Sequence, residues 1–189
     1  MIRALALAGG GALALAGCGG PEASPQVAVP GPGRAEQVAE ALLQADRAEQ
    51  RGDAAALAKA ALLLDRLGPE AQTDADAEAL NRWRASLPAD LPPLRGRALG
   101  PGYRSAMLMP GAATQLHQTF LGGRRAQIVV RVVQGSPPKL LVRDQSEREV
   151  CRADSNPVNC RWMPLYTQRH SIEIVNAGPE MSRIYIVFD

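Results

Sequence analysis

The chain is short of the residues on which most soluble catalysis and charge-driven binding depend. Of its 189 residues only 2 are histidine, His117 and His170, and lysine stands only at Lys59 and Lys139. Arginine therefore carries nearly all of the positive charge, and the net charge is just +2. Aromatic residues make up 4 % of the chain and are sparse in its basic stretches. With so little excess charge and so few stacking groups, nucleic-acid binding has little to work with. No Gly-x-Ser-x-Gly, His-Glu-x-x-His or glycine-rich phosphate loop occurs, so the commonest hydrolase and nucleotide-binding motifs are missing. No apolar run approaches the roughly 20 residues that cross a hydrocarbon core.

What is present starts at the N-terminus. A basic start at Arg3 leads through the small and apolar stretch Ala4 to Ala14 into Leu15-Ala16-Gly17-Cys18. This is the layout of an export signal. The last four residues resemble the lipobox of bacterial lipoproteins at every position. The resemblance implies diacylglycerol on the Cys18 thiol, cleavage before Cys18, and acylation of the new amine. Residues 1–17 are thus expected to be a signal peptide and Cys18 the lipidation site. Each buried acyl methylene contributes about 0.8 kcal/mol, so two or more chains hold a protein stably. Gly19 stands where the family's inner-membrane retention signal usually has aspartate, which in a Gram-negative cell favours the outer membrane, facing the periplasm. Residues 18–33 hold Pro21, Pro25, Pro30 and Pro32 among glycines, the composition of a tether.

The remaining cysteines suit the same compartment. Cys151 and Cys160 enclose a polar, turn-rich stretch, and an exported chain meets an oxidising space. A structural disulfide is expected there. Two cysteines without a histidine or a second pair make a poor zinc site, and the spacing is not the Cys-x-x-Cys of a thiol oxidoreductase.

Residues 34–88 read as a small helical region. Val38, Leu42 and Ala45 recur at helical spacing, Gly52-Asp53 ends that run and caps the next, and Leu57, Ala61 and Leu64 line one face before Gly68-Pro69. A capping box at Thr73 to Asp76 opens a third helix whose stripe is Leu80, Trp83 and Leu87, with Pro88 as its stop. Abundant alanine gives these helices little apolar area, so they are expected to lean on the next domain. Residues 89–110 hold Pro92, Pro93, Pro101 and Pro110 and read as a connecting segment. Arg84, Arg95, Arg97 and Arg104 form a basic group suited to lipid phosphate or polyanionic sugar, although solvated surface is the commoner use of such residues.

From 111 to 189 the hydrophobic period is two. Leu116 and Phe120 alternate with His117 and Thr119, Gly122-Gly123 turns the chain, and Ile128, Val130 and Val132 share a face. Val129 and Val133 leave the other face apolar too. Ile172 and Ile174 share a side, and in the last segment Tyr185 and Val187 oppose Ile184, Ile186 and Phe188. The fold class is therefore α+β, a short helical region followed by an antiparallel β-sandwich.

Several stretches carry a further resemblance. Leu99 to Arg104, Gln118 to Ala126, Leu140 to Asp144, Val150-Cys151, Cys160 to Pro164, Ile172 to Asn176 and Tyr185 are together similar to the bacterial pre-peptidase C-terminal domain and its jelly-roll-like relatives. The resemblance implies that Phe120-Leu121-Gly122-Gly123 leads into a core strand. It also implies that Val142 and Asp144 form a strand end and turn, and that Ile172, Ile174 and Asn176 precede the last strand with Tyr185. Members of that family ride beside a protease, and no peptidase domain precedes this one.

No catalytic set emerges. Ser171 follows His170, but neighbours on a strand face opposite ways and do not align as nucleophile and base. Asp144, Glu147 and Glu149 read as solvated charges around a turn. Asp144, Asp154, Asn156 and Asn159 are oxygen donors without evident convergence, so neither metal nor other cofactor is expected. Trp162 and Tyr166 are aromatic handles that, with Arg104, form the expected binding surface, while Trp162 beside Cys160 is equally suited to cover the disulfide. The sequence thus describes a non-catalytic, envelope-anchored lipoprotein presenting a β-sandwich to an envelope protein or a glycan. The opposing class is an accessory part of a secreted hydrolase, or an enzyme hard to recognise. Its mark would be an open cleft holding His117 or His170 with a well-placed carboxylate.

Overall fold

The computed structural model describes residues 31–87 and 100–189. The expected signal, Cys18, most of the linker, Pro88 and much of the expected connecting segment lie outside the described residues.

Three helices come first; the caps and stops from Gly52 to Thr73 fall where the sequence marks them, while the third helix ends at Ala85, before the Leu87 that the sequence put in its stripe. Helix α1 is Arg34–Arg51, opened by Glu36, whose carboxylate accepts from the Gly33 amide at 3.0 Å. Gly52 ends it in the left-handed region at φ 66°, a conformation in which only glycine avoids a Cβ clash. Helix α2 is Ala54–Leu67, and the Asp53 carboxylate caps it by accepting from the Ala56 amide at 2.9 Å. Strand β1 is the two-residue Glu70–Ala71. Helix α3 is Asp74–Ala85, where Thr73 accepts from the Asp76 amide and its hydroxyl donates to the Asp76 carboxylate at 2.6 Å.

Eight further strands follow: β2 Gly102–Leu108, β3 Ala113–Phe120, β4 Ala126–Gln134, β5 Lys139–Arg143, β6 Glu149–Ala153, β7 Asn159–Trp162, β8 Gln168–Val175 and β9 Ser182–Phe188. They form two sheets, of order β1-β2-β9-β4-β7 and β3-β8-β5-β6. Every pairing is antiparallel except β1 with β2. One boundary differs from the sequence expectation. The sandwich begins at Gly102, inside the stretch read as connecting, because Pro101 and Pro110 bracket β2 without interrupting it. All of its amides remain free to pair.

The five-stranded sheet is buried on both faces. Ile128, Val130, Ile184, Ile186 and Phe188 point at Leu140, Val142, Ile172 and Ile174 of the other sheet. Val129, Val187, Tyr103 and Tyr185 point the opposite way, against Val38, Leu42, Leu64, Leu80 and Trp83 of the helices. Burying one such side chain contributes about 1.5–3 kcal/mol, which is why alanine-rich helices with little area of their own stay folded on this face. The second apolar face that Val129 and Val187 give their strands is the floor for the helices. Residues 32–189 consequently form one unit, with helices and sandwich sharing a core.

Cys151 and Cys160 are joined, with their Cα atoms 5.8 Å apart. The disulfide links β6 of one sheet to β7 of the other, so it clasps the two sheets at their shared edge.

Candidate functional site

Two places stand out, at opposite ends of the strands. The first is the end where β3 runs into β4. Here Leu121, Met163, Leu165 and Tyr166 are 51 %, 63 %, 78 % and 74 % exposed, four of the seven large exposed apolar side chains among the described residues. They sit on the 121–125 turn and the 163–167 loop, which are stitched together. The Gly122 amide donates to the Thr167 hydroxyl at 3.0 Å and the Gly123 amide to the Pro164 carbonyl at 2.8 Å. A Cβ on Gly122 would lie 2.8 Å from the Tyr166 backbone, so the Gly-Gly pair is what lets the loops touch. Beside them a hollow of about 320 Å³ is lined by Phe120, Leu121, Arg124, Arg125 and Asp189.

An aromatic platform supports this tip from inside. Phe120 and Trp162 meet edge to face at 4.8 Å, and both rings contact His170 at 5.4 Å. Trp162 Nε1 donates to His170 Nε2 at 3.3 Å, and His170 Nδ1 lies 3.2 Å from the Gln168 carbonyl. Those two contacts define the neutral Nδ1–H tautomer. Burial holds the imidazole below its usual protonation range, against the Gln168 contact and the charge of Asp144.

The second place is a cleft of about 310 Å³ between α1, α3 and the adjacent strands β2 and β9. Two buried carboxylates form its base. Asp46 accepts from the Arg183 guanidinium, from Gln50 and, at 2.8 Å, from the Tyr185 hydroxyl. Asp76 accepts from the Ser105 hydroxyl at 2.6 Å and the Ser105 amide at 3.1 Å, while its backbone carbonyl accepts from the Tyr103 hydroxyl at 2.9 Å. Burial first, and the neighbouring acid second, push both tyrosine hydroxyls well above their ordinary range, so they remain donors. Around the rim stand Met107, 62 % exposed, and the Glu49–Arg82 ion pair at 3.6 Å. Trp83 also lines the cleft, and its buried Nε1 has no hydrogen-bond partner among the described residues.

The expected surface of Trp162, Tyr166 and Arg104 does not assemble as one patch. Tyr166 lies on the exposed loop, Trp162 is half-buried in the platform beneath it, and Arg104 is on β2. Strands β9 and β4 separate β2 from β7, a lateral distance of about 14 Å. Arg104 instead points between the sheets beside Gln118, with its Nε buried and unpartnered among the described residues. Neither the tip nor the cleft was legible as a unit in the sequence. Val38 and Leu42 betray the helix's buried stripe, but Asp46 on the same helix reads as an ordinary solvated acid.

The residue types of a hydrolase do gather at a third hollow, of about 240 Å³, lined by His117, Asp144, Glu147, His170 and Ser171. Geometry keeps them from forming a relay. His117 and Ser171 are cross-strand partners, yet no side-chain hydrogen bond joins them among the described residues. His170 already spends both ring nitrogens on Trp162 and Gln168. Asp144 is fastened to the Ser146 and Arg148 amides and to the Arg148 guanidinium at 2.8 Å. Its burial would raise the carboxyl's protonation range, but these donors outweigh that and lower it. Asp144 thus closes the β5–β6 turn, as the motif resemblance implied. Among the described residues no group of three His, Cys, Asp or Glu side chains is arranged to hold a metal.

No family model and no curated protein matches this chain. Among solved structures, the chain shows a weak, low-identity likeness to the pre-peptidase C-terminal domain of a collagenase from Bacillus anthracis. That likeness has 10 % identity and a TM-score of 0.39 over 46 % of this chain and 87 % of that one. A similar score of 0.39, with 8 % identity over 47 % and 84 %, relates it to PliG of Aeromonas hydrophila, a periplasmic inhibitor of g-type lysozyme. A de novo designed double-stranded β-helix matches at 14 % identity and a TM-score of 0.32, over 46 % and 97 %.

Proposed function

We propose that this chain is a non-catalytic lipoprotein of the bacterial envelope, tethered through Cys18, that presents its folded body to another envelope molecule, a protein or a glycan. The observation that carries the reading is the cleft at the helix–sheet seam. Its base is held by two carboxylates with several donors each, and its rim offers Met107, Arg82 and the exposed side of α3. Methionine, arginine and aromatic groups are the types enriched in docking surfaces, and a volume near 300 Å³ is enough for one side chain or one sugar ring. The cleft also lies at the end of α1 remote from Gly33, where the tether enters. A body held by that tether would offer this end outward, toward the periplasm and its components.

Crosslinking in intact cells followed by mass spectrometry tests the reading. A specific neighbour captured by the wild type is expected to fall about tenfold with Met107→Glu and to persist with Lys139→Glu, a change on the exposed face of β5. Equal capture by both variants would remove the cleft from the account. The hydrolase reading has one observation in its favour, the cross-strand placement of His117 and Ser171. A fluorophosphonate probe that labels the wild type but not Ser171→Ala would replace the non-catalytic reading with that one.

A further inference from the structure

We propose that the opposite end, the tip made by the 121–125 turn and the 163–167 loop, rests on the surface of an anionic phospholipid bilayer. The inference deepens the reading of Cys18 as acylated and rests on it, since it makes the tethering membrane the occupant of this tip.

Three observations converge. Leu165 and Tyr166 are the most exposed large apolar side chains described, with Leu121 and Met163 beside them on the adjoining turn and loop. Tyrosine at such a position places its ring in the interfacial layer with its hydroxyl at the headgroups. Exposed Arg124 and Arg125 stand directly behind Leu121, with Asp189 as the acid that shares their hollow. Each arginine near an anionic leaflet adds about fivefold to partition. Exposed apolar tips backed by arginine match the layered chemistry of a lipid surface, acyl boundary first and phosphate next.

The third observation is where the tether enters. A Cβ on Gly33 would lie 2.7 Å from Gln127, and Glu36 accepts from Asn159 at 2.7 Å and Arg161 at 2.6 Å. Gln127 pairs with Arg161, and the next pair, Ala126 with Trp162, is where the turn ends and the loop begins. The chain thus joins the folded body one residue pair from the tip. From Cys18, the segment 19–31 reaches at most about 45 Å even if fully extended. Acylation would hold this end within that distance of the bilayer. A stable protein partner covers about 800 Å² on each side, more than a few side chains on two loops supply, whereas a bilayer needs only the tips.

The test uses the unacylated chain from Gly19, which retains residues 32–189 and both cores. Sedimentation is measured with vesicles of equimolar phosphatidylglycerol and phosphatidylethanolamine, and with phosphatidylcholine alone. The expected result is binding to the anionic vesicles. The pair Arg124→Gln and Arg125→Gln should weaken it about tenfold or more. The pair Leu165→Ser and Tyr166→Ser should weaken binding to both kinds of vesicle. Tyr166→Trp provides a check that does not depend on weakened variants, because its emission should shift to the blue only when vesicles are added. Absence of wild-type binding, or unchanged binding in both variant pairs, overturns the proposal. Loss of a protein crosslink in cells by either of these tip pairs, with its vesicle binding unchanged, overturns it in favour of a protein partner. Labelled fatty acid fed to cells making the full chain reports on Cys18 separately. Incorporation without vesicle binding leaves the anchor and removes the tip; binding without incorporation does the reverse.

Discussion

The two faces of the five-stranded sheet are closed by different chemistry. Toward the other sheet, the seam is hydrocarbon: Ile128, Ile184 and Ile186 against Leu140, Ile172 and Ile174, with one disulfide at the edge. Toward the helices, apolar contact is supplemented by polar fastenings, since Asp46 ties α1 to β9 and Asp76 ties α3 to β2. The contrast follows from the supply of apolar area. Alanine-rich helices offer few bulky side chains, chiefly Val38, Leu42, Leu64, Leu80 and Trp83, so hydrocarbon packing fixes their position over the sheet only in part. Buried carboxylates with several donors each supply the register that packing leaves loose, and such polar networks hold only when every member is satisfied.

The comparison can be broken by mutation. Ile186→Ala opens a cavity between the sheets and is expected to cost about 4 kcal/mol in urea unfolding. Asp46→Ala leaves the Arg183 guanidinium and the Tyr185 hydroxyl without their acceptor and is expected to cost about 3 kcal/mol. Its signature differs, however. Hydrogen exchange should quicken across α1 and α2 more than across β5 and β8, whereas Ile186→Ala should loosen both sheets. Equal exchange patterns would show that the two seams are one cooperative unit. Replacing Cys151 and Cys160 together by serine removes the clasp, with an expected loss of about 2.5 kcal/mol by the chain-entropy relation, read from the unfolding midpoint. Thr73→Ala removes the α3 cap together with one donor to the Asp76 carboxylate and should cost about 1–2 kcal/mol.

The smallest expected effect is on pH. Burial lowers the folded-state protonation range of His170, so the unfolded chain binds the proton more readily. Stability from this group is complete above about pH 6.5 and declines as the pH falls below it. Protonation would also cost Nε2 its bond from Trp162. His170→Gln should flatten the slope of unfolding free energy between neutral and mildly acidic pH. An unchanged slope would place the titration elsewhere.

How much of this was legible depended on the range of the interaction. The caps at Asp53 and Thr73 and the stops at Gly52 and Gly68 act within a few residues, and their chemistry can be read directly from the chain. The alternation in β4 and β9 was equally plain, including the second apolar face whose cover the sequence did not identify. Strand β2 was hidden because its prolines read as breakers when they are only boundaries. The candidate site was hidden more deeply. Arg104 and Tyr166 both looked like surface residues, but nothing local says that three strand intervals separate β2 from β7. Likewise, nothing near Asp46 announces Arg183.

By itself, then, the sequence determined the class of fold, the helix limits and which strand faces are apolar, because period, capping and backbone sterics are properties of neighbouring residues. Only the tertiary structure decided that the helices cover the sandwich, that Asp46 and Asp76 are buried fasteners, and that four apolar side chains share one end of the strands. Strand order and loop adjacency arise from pairings across many residues, and those pairings leave no periodic trace in the chain.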